Sequence, residues 1–270
     1  MMQGQQIKEK ITERYSKIAL EGNSDCLCSC CSDGPEEEKS SAAENSSYPM
    51  QSATDVGYDS KDIASIPETS ILGVGCGVPT KFANIREGEV VVDLGSGAGI
   101  DVFLSANQVG KSGKVIGIDM TDAMLEKAKK NAKKNNYTNV EFHKGDIEKR
   151  IPIKDNTADL AISNCVINLT TDKASAFKEI YRILKDHGGR MVISDLVADR
   201  EIDKDAVNPE KWCSCIDGAL TKENYLQSIK HAEFKNVEVL EEKTYIEEIA
   251  GNNKDTGRKI SSLIIKAIKD

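Results

Sequence analysis

The sequence predicts an α/β protein whose centre is a doubly wound, Rossmann-like sheet of seven strands. Three observations carry this prediction. Apolar runs alternate with amphipathic segments from residue 88 onward, a glycine-rich turn follows the first run, and two further apolar runs lie beyond residue 230. We expect a helical and cysteine-rich segment over 1–75, a ligand-binding core over 76–198, and an insertion with two closing strands over 199–270.

Composition limits the class of protein. The chain has 270 residues, 39% of them hydrophobic and 30% charged, which is typical of a soluble globular protein. A formal net charge of -8 argues against nucleic acid as the main partner, because nucleic-acid binders usually carry a basic face. The polar start lacks a secretory signal, and no apolar run reaches the roughly 18 residues that span a bilayer. We therefore expect a cytoplasmic monomer, and its eight cysteines to be reduced, metal-binding or catalytic.

Three segments precede the predicted sheet. Apolar residues at helical spacing, from Ile7 to Ile18, predict a helix over 4–20. Residues 21–56 are polar and show little periodicity, so we predict a loop there. A short helix is predicted over 61–71, with Asp62 as its N-cap.

The alternating region gives the strands and helices of the sheet. Strands are predicted over 89–94, 114–118, 140–143, 159–163 and 191–196, and helices over 100–107, 121–135 and 172–184. This alternation predicts a parallel sheet with helices on both faces. Residues 199–220 break the rhythm as an insertion, a helix is predicted over 221–230, and strands over 237–240 and 261–268 are expected to close the sheet.

A glycine-rich turn is the strongest local motif. Asp93 lies at the end of the first strand, which leads into Gly95-Ser96-Gly97-Ala98-Gly99. Glycines at such a turn let the backbone approach a ligand closely, and ligands of open α/β sheets bind beyond the carboxyl ends of the strands. By itself the turn also fits an ordinary strand-to-helix connection.

Polar residues at the ends of the next strands favour the ligand-binding interpretation. Asp119 follows the second strand about 20 residues beyond the turn, where a carboxylate accepts hydrogen bonds from ribose hydroxyls. Asp146 follows the third strand and is placed to meet an adenine amino group. The remaining residues expected around the ligand are Met120, Gly145, Ile147 and Asn164.

These motifs resemble those of the class I S-adenosylmethionine methyltransferases. The D-L-G-S-G-A-G turn matches their first motif, and Asp119 and Asp146 match the acids of their second and third strands. The resemblance implies S-adenosylmethionine as the cofactor. Dinucleotide-dependent dehydrogenases, the competing interpretation, usually carry G-x-G-x-x-G close to the N-terminus of the fold, whereas this turn is G-x-G-x-G and begins at residue 95.

The methyl acceptor is indicated by cysteines instead of a general base. No histidine is placed as a base, since His143 lies in a strand pattern, His187 in a turn and His231 at a helix end. Cys165 follows the fourth strand, which borders the donor in this fold, and Cys215 lies in the insertion. Each cysteine, including Cys76 just before the sheet, is alone equally compatible with a small buried apolar residue.

The three cysteine contexts together resemble those of arsenite methyltransferases. They are L-G-V-G-C-G-V-P around Cys76, S-N-C-V-I-N-L around Cys165 and C-I-D-G-A-L from Cys215, in the family's order. The resemblance implies that Cys165 and Cys215 hold As(III), with Cys76 as a third reactive cysteine and arsenic ligand. A fourth would come from the cluster Cys26, Cys28, Cys30 and Cys31, and Cys213 has no assigned counterpart.

The chemistry agrees with this implication. Thiolates suit a soft centre, and thiolate-bound As(III) keeps a lone pair that attacks a sulfonium methyl group without a general base. Methylation oxidises the arsenic, so we expect a disulfide between other cysteines and an external thiol reductant, thioredoxin or glutathione. Two alternatives stay open: methylation of another small acceptor, such as a sterol or quinone-like carbon, and a non-catalytic protein that binds arsenic or zinc through thiols.

Overall fold

The computed structural model describes residues 2–22, 48–203, 207–247 and 258–270. The cluster from Cys26 to Cys31, which the sequence singled out, lies outside the described residues. Over the described ranges, no helix is both long enough and apolar enough to cross a membrane.

Seven strands form one sheet. They are β1 (Val90–Leu94), β2 (Lys114–Asp119), β3 (Val140–Lys144), β4 (Leu160–Asn164), β5 (Arg190–Ala198), β6 (Lys235–Glu247) and β7 (Lys259–Ile268). Their order is β3-β2-β1-β4-β5-β7-β6. The first five pair in parallel, while β7 is antiparallel to both β5 and β6. The predicted seven-stranded sheet is confirmed, and its closing pair departs from the parallel arrangement.

Nine α-helices surround the sheet in the described part of the chain. They are α1 (Met2–Glu21), α2 (Tyr48–Val56), α3 (Ser60–Ala64), α4 (Pro79–Phe82), α5 (Ile100–Val109), α6 (Asp122–Lys134), α7 (Lys173–Ile183), α8 (Pro209–Cys213) and α9 (Lys222–His231). The strand residues alternate between two cores, as the period of two requires. Val91 packs in the core that contains α5 and α6, whereas Val92 packs in the core that contains α7 and α9.

Two elements near the N-terminus differ from prediction. Residues 48–56 form α2, although this stretch was predicted as loop, and Ser52 and Ala53 are buried there. The predicted cap at Asp62 is wrong, because Asp59 caps α3 by accepting a hydrogen bond from the backbone nitrogen of Lys61. The helix also ends at Ala64 instead of residue 71, since Pro67 lacks the amide that a continuing helix would use.

The register of the sheet decides where the site forms. Leu94 at the end of β1 lies beside Ile118 of β2 and Ser163 of β4. Ser163 in turn lies beside Ile193 of β5. The residues that follow these strands therefore meet at one edge of the sheet, at the point where the strand order reverses between β1 and β4.

Candidate active site

The glycine turn after β1 brings the backbone close to its neighbours. Gly95 has a φ of 75°, and a Cβ at that position would lie 2.3 Å from Val166. Gly99 has a φ of 103° at the start of α5, where a Cβ would lie 2.7 Å from the ring of Phe103. Both positions require glycine, because an L-residue is strained at such φ values and its side chain would collide.

A cleft of about 770 Å³ opens beside this turn. Most of the residues predicted to bind a cofactor line it: Gly95, Gly97, Asp119, Met120, Gly145, Asp146, Ile147 and Asn164. Cys165 also lines the cleft, so the predicted acceptor site borders the predicted donor site.

A second cleft of about 570 Å³ adjoins the first along the same turn. Asp93 and Ser96 line it, and Gly95, Gly97 and Asn164 line both clefts. The Ser96 hydroxyl is buried and has no hydrogen-bond partner among the described residues, as expected for a group that faces a ligand. Gly99 lines neither cleft, so its structural contribution is the tight start of α5.

Asp119 supports the turn across the sheet edge. Its carboxylate accepts hydrogen bonds from the backbone nitrogens of Gly97, at 2.9 Å, and Thr121, at 2.8 Å. Burial raises the pKa of Asp119, and these backbone hydrogen bonds oppose the rise. The carboxylate thus holds the turn in place and still faces the cleft.

Asp146 has a partner that sequence reasoning missed. Lys8 of α1 lies 2.7 Å from its Oδ2 and also contacts the Glu148 carboxylate. Hydrogen bonds from Lys8 and from the backbone of Glu148 lower the pKa of Asp146 against the opposing effect of burial. Only a long-range ion pair links these residues, so no local pattern could have shown it.

Buried acids stand behind the second cleft. Tyr58 donates to Asp101 at 2.9 Å, and Asn164 donates to the Tyr58 hydroxyl, also at 2.9 Å. Burial raises the pKa of Asp101 to about 6, and it raises the pKa of Asp93 well above its ordinary value, together with the charges of Asp101 and Asp119. The carboxyl groups that line this end of the site therefore either carry a proton or are stabilised by a neighbouring cation.

The three predicted cysteines come together on the other side of Asn164. Cys76, Cys165 and Cys215 are buried in one apolar cluster. The sulfurs of Cys76 and Cys165 lie within 4.8 Å of each other, and the Cys215 thiol donates a hydrogen bond to the backbone carbonyl oxygen of Cys165 at 3.1 Å. The backbone nitrogen of Cys76 donates to the Asn164 side chain at 3.1 Å, so one amide joins the donor clefts to the thiol cluster.

The environment raises the pKa of the Cys165 and Cys215 thiols. Hydrogen bonds with Cys215 and Cys76, and then burial, raise the pKa of Cys165 well above its ordinary value. For Cys215, the hydrogen bond with Cys165 lowers the pKa, but burial and the charge of Asp195 together raise it further. Among the described cysteines none is joined in a disulfide.

An acid that the sequence did not indicate lies among the thiols. Asp195 of β5 is buried, and one of its carboxylate oxygens lies within 4.8 Å of the sulfurs of Cys76 and Cys165. Burial raises its pKa to about 6, against the lowering effects of Lys173 and of three hydrogen bonds. The signal was weak in the sequence, because Asp195 stands in the middle of a mostly apolar strand.

The insertion is fixed by contacts from β7 and the residue before it. Arg258 donates to the carbonyl oxygens of Ile216 at 3.2 Å and Ala219 at 2.8 Å. Ser262 donates to the carbonyl oxygen of Cys76 at 2.7 Å. The same short stretch of chain therefore positions the loops of Cys215 and Cys76.

Helix α1 covers the larger cleft. Lys8, Ile11 and Tyr15 line the larger cleft. The helix also packs against α8, where Ile7 and Ile11 form an apolar cluster with Cys213. Cys213 therefore has a packing role beneath α1, separate from the three clustered thiols.

Fold and clefts together define the class of protein. A family model described as a methyltransferase domain matches residues 85–236, and the chain belongs to that family, the class I S-adenosylmethionine-dependent methyltransferases. The residues present fit this donor, because a glycine cradle, an unpartnered Ser96 hydroxyl and the Asp119 carboxylate face one continuous pair of clefts.

Within this class the chain belongs to the arsenite methyltransferases. It is 37% identical to the arsenite methyltransferase of Halobacterium salinarum over 98% of this chain and 67% of the relative. It is 40% identical to that of Mus musculus over 54% of this chain and 40% of the relative. The arsenic(III) S-adenosylmethionine methyltransferase of Chlamydomonas reinhardtii has a similar structure, with a TM-score of 0.66 and 31% identity over 81% of this chain and 73% of that one. The predicted resemblance is confirmed.

Proposed function

We propose that this protein transfers the methyl group of S-adenosylmethionine to trivalent arsenic held by Cys165 and Cys215, with Cys76 as the third sulfur. The observation that carries the proposal is the clustering of the three buried cysteines beside the donor cleft. Three buried thiols in one cluster suit a soft trivalent centre better than they suit an oxygen or carbon acceptor.

The donor-binding roles rest on the position of each group around the clefts. The glycine turn and the Ser96 hydroxyl face the methionine part, and the buried carboxyls of Asp93 and Asp101 suit its ammonium group. Asp119 is placed for the ribose and Asp146 for the adenine. The donor supplies an electrophilic sulfonium methyl group, and this arrangement would aim that group at the thiol cluster.

The acceptor chemistry needs little from the protein beyond position and exclusion of water. Arsenite exchanges its hydroxides for cysteine sulfurs, and each exchange releases one water as the thiol proton leaves with the hydroxide. The bound arsenic keeps its lone pair, which attacks the methyl carbon. A general base is not required, in agreement with the absence of any histidine among the described residues that line the larger cleft.

The redox step follows from the change in oxidation state. Transfer of the methyl group takes the arsenic from trivalent to pentavalent, and two thiols return it to the trivalent state by forming a disulfide. We assign this step to Cys76 and a cysteine of the 26–31 cluster. An external reductant, thioredoxin or glutathione, would regenerate the thiols. We expect the protein to work as a monomer in the cytoplasm, where such reductants keep thiols reduced.

The direct test is an assay with the full-length reduced protein, methyl-labelled S-adenosylmethionine, arsenite and thioredoxin or glutathione. Chromatography with arsenic-specific detection should find the label in mono- and dimethylated arsenicals. A Cys165→Ser protein that still binds the donor serves as the control and should give no labelled arsenic. Donor binding by the unaltered protein without any arsenic methylation would contradict the proposal.

A further inference from the structure

The thiol cluster contains one more ligand than arsenite requires. The sulfurs of Cys76 and Cys165 and a carboxylate oxygen of Asp195 all lie within 4.8 Å of one another, and all three residues are buried. The thiol of Cys215 donates a hydrogen bond to the backbone carbonyl oxygen of Cys165 at 3.1 Å. Trivalent arsenic is satisfied by three sulfurs, so the carboxylate of Asp195 has no role in holding it.

The Asp195 carboxylate is oriented as a ligating carboxylate would be. Its Oδ2 accepts hydrogen bonds from the backbone nitrogen of Asn168 at 2.9 Å and from the Tyr225 hydroxyl at 3.0 Å. Its Oδ1 accepts one from the backbone nitrogen of Leu196 at 3.0 Å. A carboxylate has about four lone-pair positions, so these bonds leave one for the thiol cluster. Such outer hydrogen bonds fix the ligating carboxylates of metal sites.

We propose that Cys76, Cys165 and Asp195 hold a thiophilic divalent cation, namely Zn²⁺, which competes with arsenite, and that the Cys215 thiol turns away from the carbonyl oxygen of Cys165 to complete a four-coordinate site. Zinc prefers a tetrahedron of thiolate and carboxylate ligands. With zinc–sulfur bonds of about 2.3 Å, neighbouring ligands of a tetrahedron lie about 3.8 Å apart. The three ligand atoms that lie within 4.8 Å of one another must therefore approach by about 1 Å at most.

The net charge of the occupied site differs between As(III) and Zn²⁺. Three thiolates with As(III) make a neutral centre, whereas three thiolates and a carboxylate with Zn²⁺ make a centre of charge -2. A buried centre of that charge needs a cation beside it. Lys173 is buried and interacts electrostatically with both Asp195 and Cys215. Lys173 therefore favours the divalent cation with its full ligand set.

The site is tested by direct metal binding, which does not depend on methyl transfer. The full chain with Cys26, Cys28, Cys30 and Cys31 all changed to serine removes competing thiols, and Cd²⁺ serves as the spectroscopic probe. One Cd²⁺ per chain should bind with thiolate-to-metal charge-transfer absorption and a cadmium NMR shift typical of three sulfurs and one oxygen. Arsenite, and Zn²⁺ in large excess, should each compete with Cd²⁺ for the site.

Two variants in this background give the decisive comparison. Asp195→Asn should weaken Cd²⁺ binding by at least about tenfold, the range expected when a ligand or its support is lost, and change arsenite affinity by less than about threefold. Cys213→Ser, two residues from Cys215, is the matched control and should leave both affinities within that same margin. Undiminished Cd²⁺ affinity in Asp195→Asn would overturn the proposal.

If Asp195→Asn does not fold, the cadmium NMR shift of the background protein decides. A shift typical of three sulfur ligands and one oxygen ligand supports the proposed site. A shift typical of four sulfur ligands, or of three sulfur ligands alone, overturns it. The outcome is separable from the proposed function. Cd²⁺ binding without arsenic methylation would support the metal site and contradict the proposed methyl transfer to arsenic. Arsenic methylation without Cd²⁺ binding would support the proposed function and overturn the metal site.

Discussion

The Cys215 thiol donates a hydrogen bond to the backbone carbonyl oxygen of Cys165 across 3.1 Å, although 50 residues separate them in sequence. Both residues have left-handed backbones, with φ of 59° at Cys165 and 66° at Cys215. A non-glycine residue in this conformation is disfavoured by about 1–2 kcal/mol. Such outliers persist where surrounding contacts hold them, which fits two turns that aim sulfurs at one point.

We expect Cys165→Ser and Cys215→Ser each to abolish methylation of arsenite and of a trivalent monomethyl arsenical. A methylated trivalent arsenical still takes two thiolates, so the second methyl transfer also needs both sulfurs. Product analysis by chromatography measures the loss, and calorimetry with S-adenosylhomocysteine should show near-normal donor binding. Substantial activity of Cys215→Ser on the monomethyl substrate would contradict the arsenic assignment.

Cys76→Ser should affect turnover of arsenite and of the trivalent monomethyl arsenical differently. The loop of Cys76 precedes the sheet, and its sequence leads back toward the cysteine cluster 26–31. If Cys76 serves the redox step and the third arsenic bond, its loss should stop turnover of arsenite and spare the monomethyl arsenical, which needs only two sulfurs. Parallel assays on the two substrates measure this, and equal loss on both would show that Cys76 has another role.

Asp119→Ala should weaken donor binding by more than about tenfold, because it removes charge-assisted hydrogen bonds worth roughly 1.5–3 kcal/mol each. The carboxylate also holds the Gly97 amide at 2.9 Å, so the glycine turn itself would loosen. Calorimetry with S-adenosylhomocysteine measures the change. Asp122→Ala is the control, since that side chain is exposed and pairs with Lys144 at the surface. A similar loss of donor affinity in Asp122→Ala would show that the effect is not specific to Asp119.

Lys8→Met should shorten the lifetime of the bound donor a few-fold, because Lys8 ties α1 to Asp146 and Glu148 at the cleft. The pair is partly exposed, so the free energy of unfolding should change by less than about 1 kcal/mol. Stopped-flow release of a fluorescent donor analogue measures the lifetime, and Lys61→Met on the exposed face of α3 is the control. An unchanged release rate would mean that α1 does not retain the donor.

Buried Asp101 predicts a pH dependence of stability in the donor-free protein. Its pKa is raised to about 6 by burial, above the ordinary value of 3.8, so the folded state binds a proton that the unfolded state releases. The free energy of unfolding should therefore fall as pH rises from 4 to 6, by up to about 1.4 kcal/mol per pH unit from this group.

Urea denaturation of the protein and of Asp101→Asn at pH 4, 5 and 6 measures this contribution. The variant should lose less stability over that interval, because the amide that replaces the carboxyl group does not ionise. Asp122→Asn is the matched control on an exposed carboxylate and should follow the unaltered protein. Identical slopes for the protein and for Asp101→Asn would show that Asp101 does not hold a proton in the fold.

Sequence periodicity was sufficient for the sheet, whereas the grouping of Cys76, Cys165 and Cys215 was expected from the resemblance to arsenite methyltransferases. Strand ends such as Asn164 share one edge by topology alone, so Cys165 could be placed next to the donor before any coordinates were known. The cluster at Cys26–Cys31 lies outside the described residues, and its assigned role stays a prediction.

Contacts between distant segments could not be predicted. Helix α2 was predicted as loop, and in the structure its Ser52 and Ala53 are buried against the rest of the protein. Asp195 follows Ser194 in a buried strand, and its closeness to Cys165 arises only when β5 is paired with β4. Lys8 reaches Asp146 across 138 residues of sequence. Each of these features depends on tertiary packing, which local propensity does not predict.

The anchoring of the cysteine loops by Arg258 and Ser262 has a consequence for biosynthesis. A nascent chain that stops short of Arg258 already contains every cysteine and the whole glycine turn, but the carbonyl oxygens of Cys76, Ile216 and Ala219 still lack the donors that position them. Until β7 is added, the thiols are not enclosed together. During that interval they are open to oxidation or to capture by stray metal ions, so the reducing state of the compartment matters for maturation as well as for turnover.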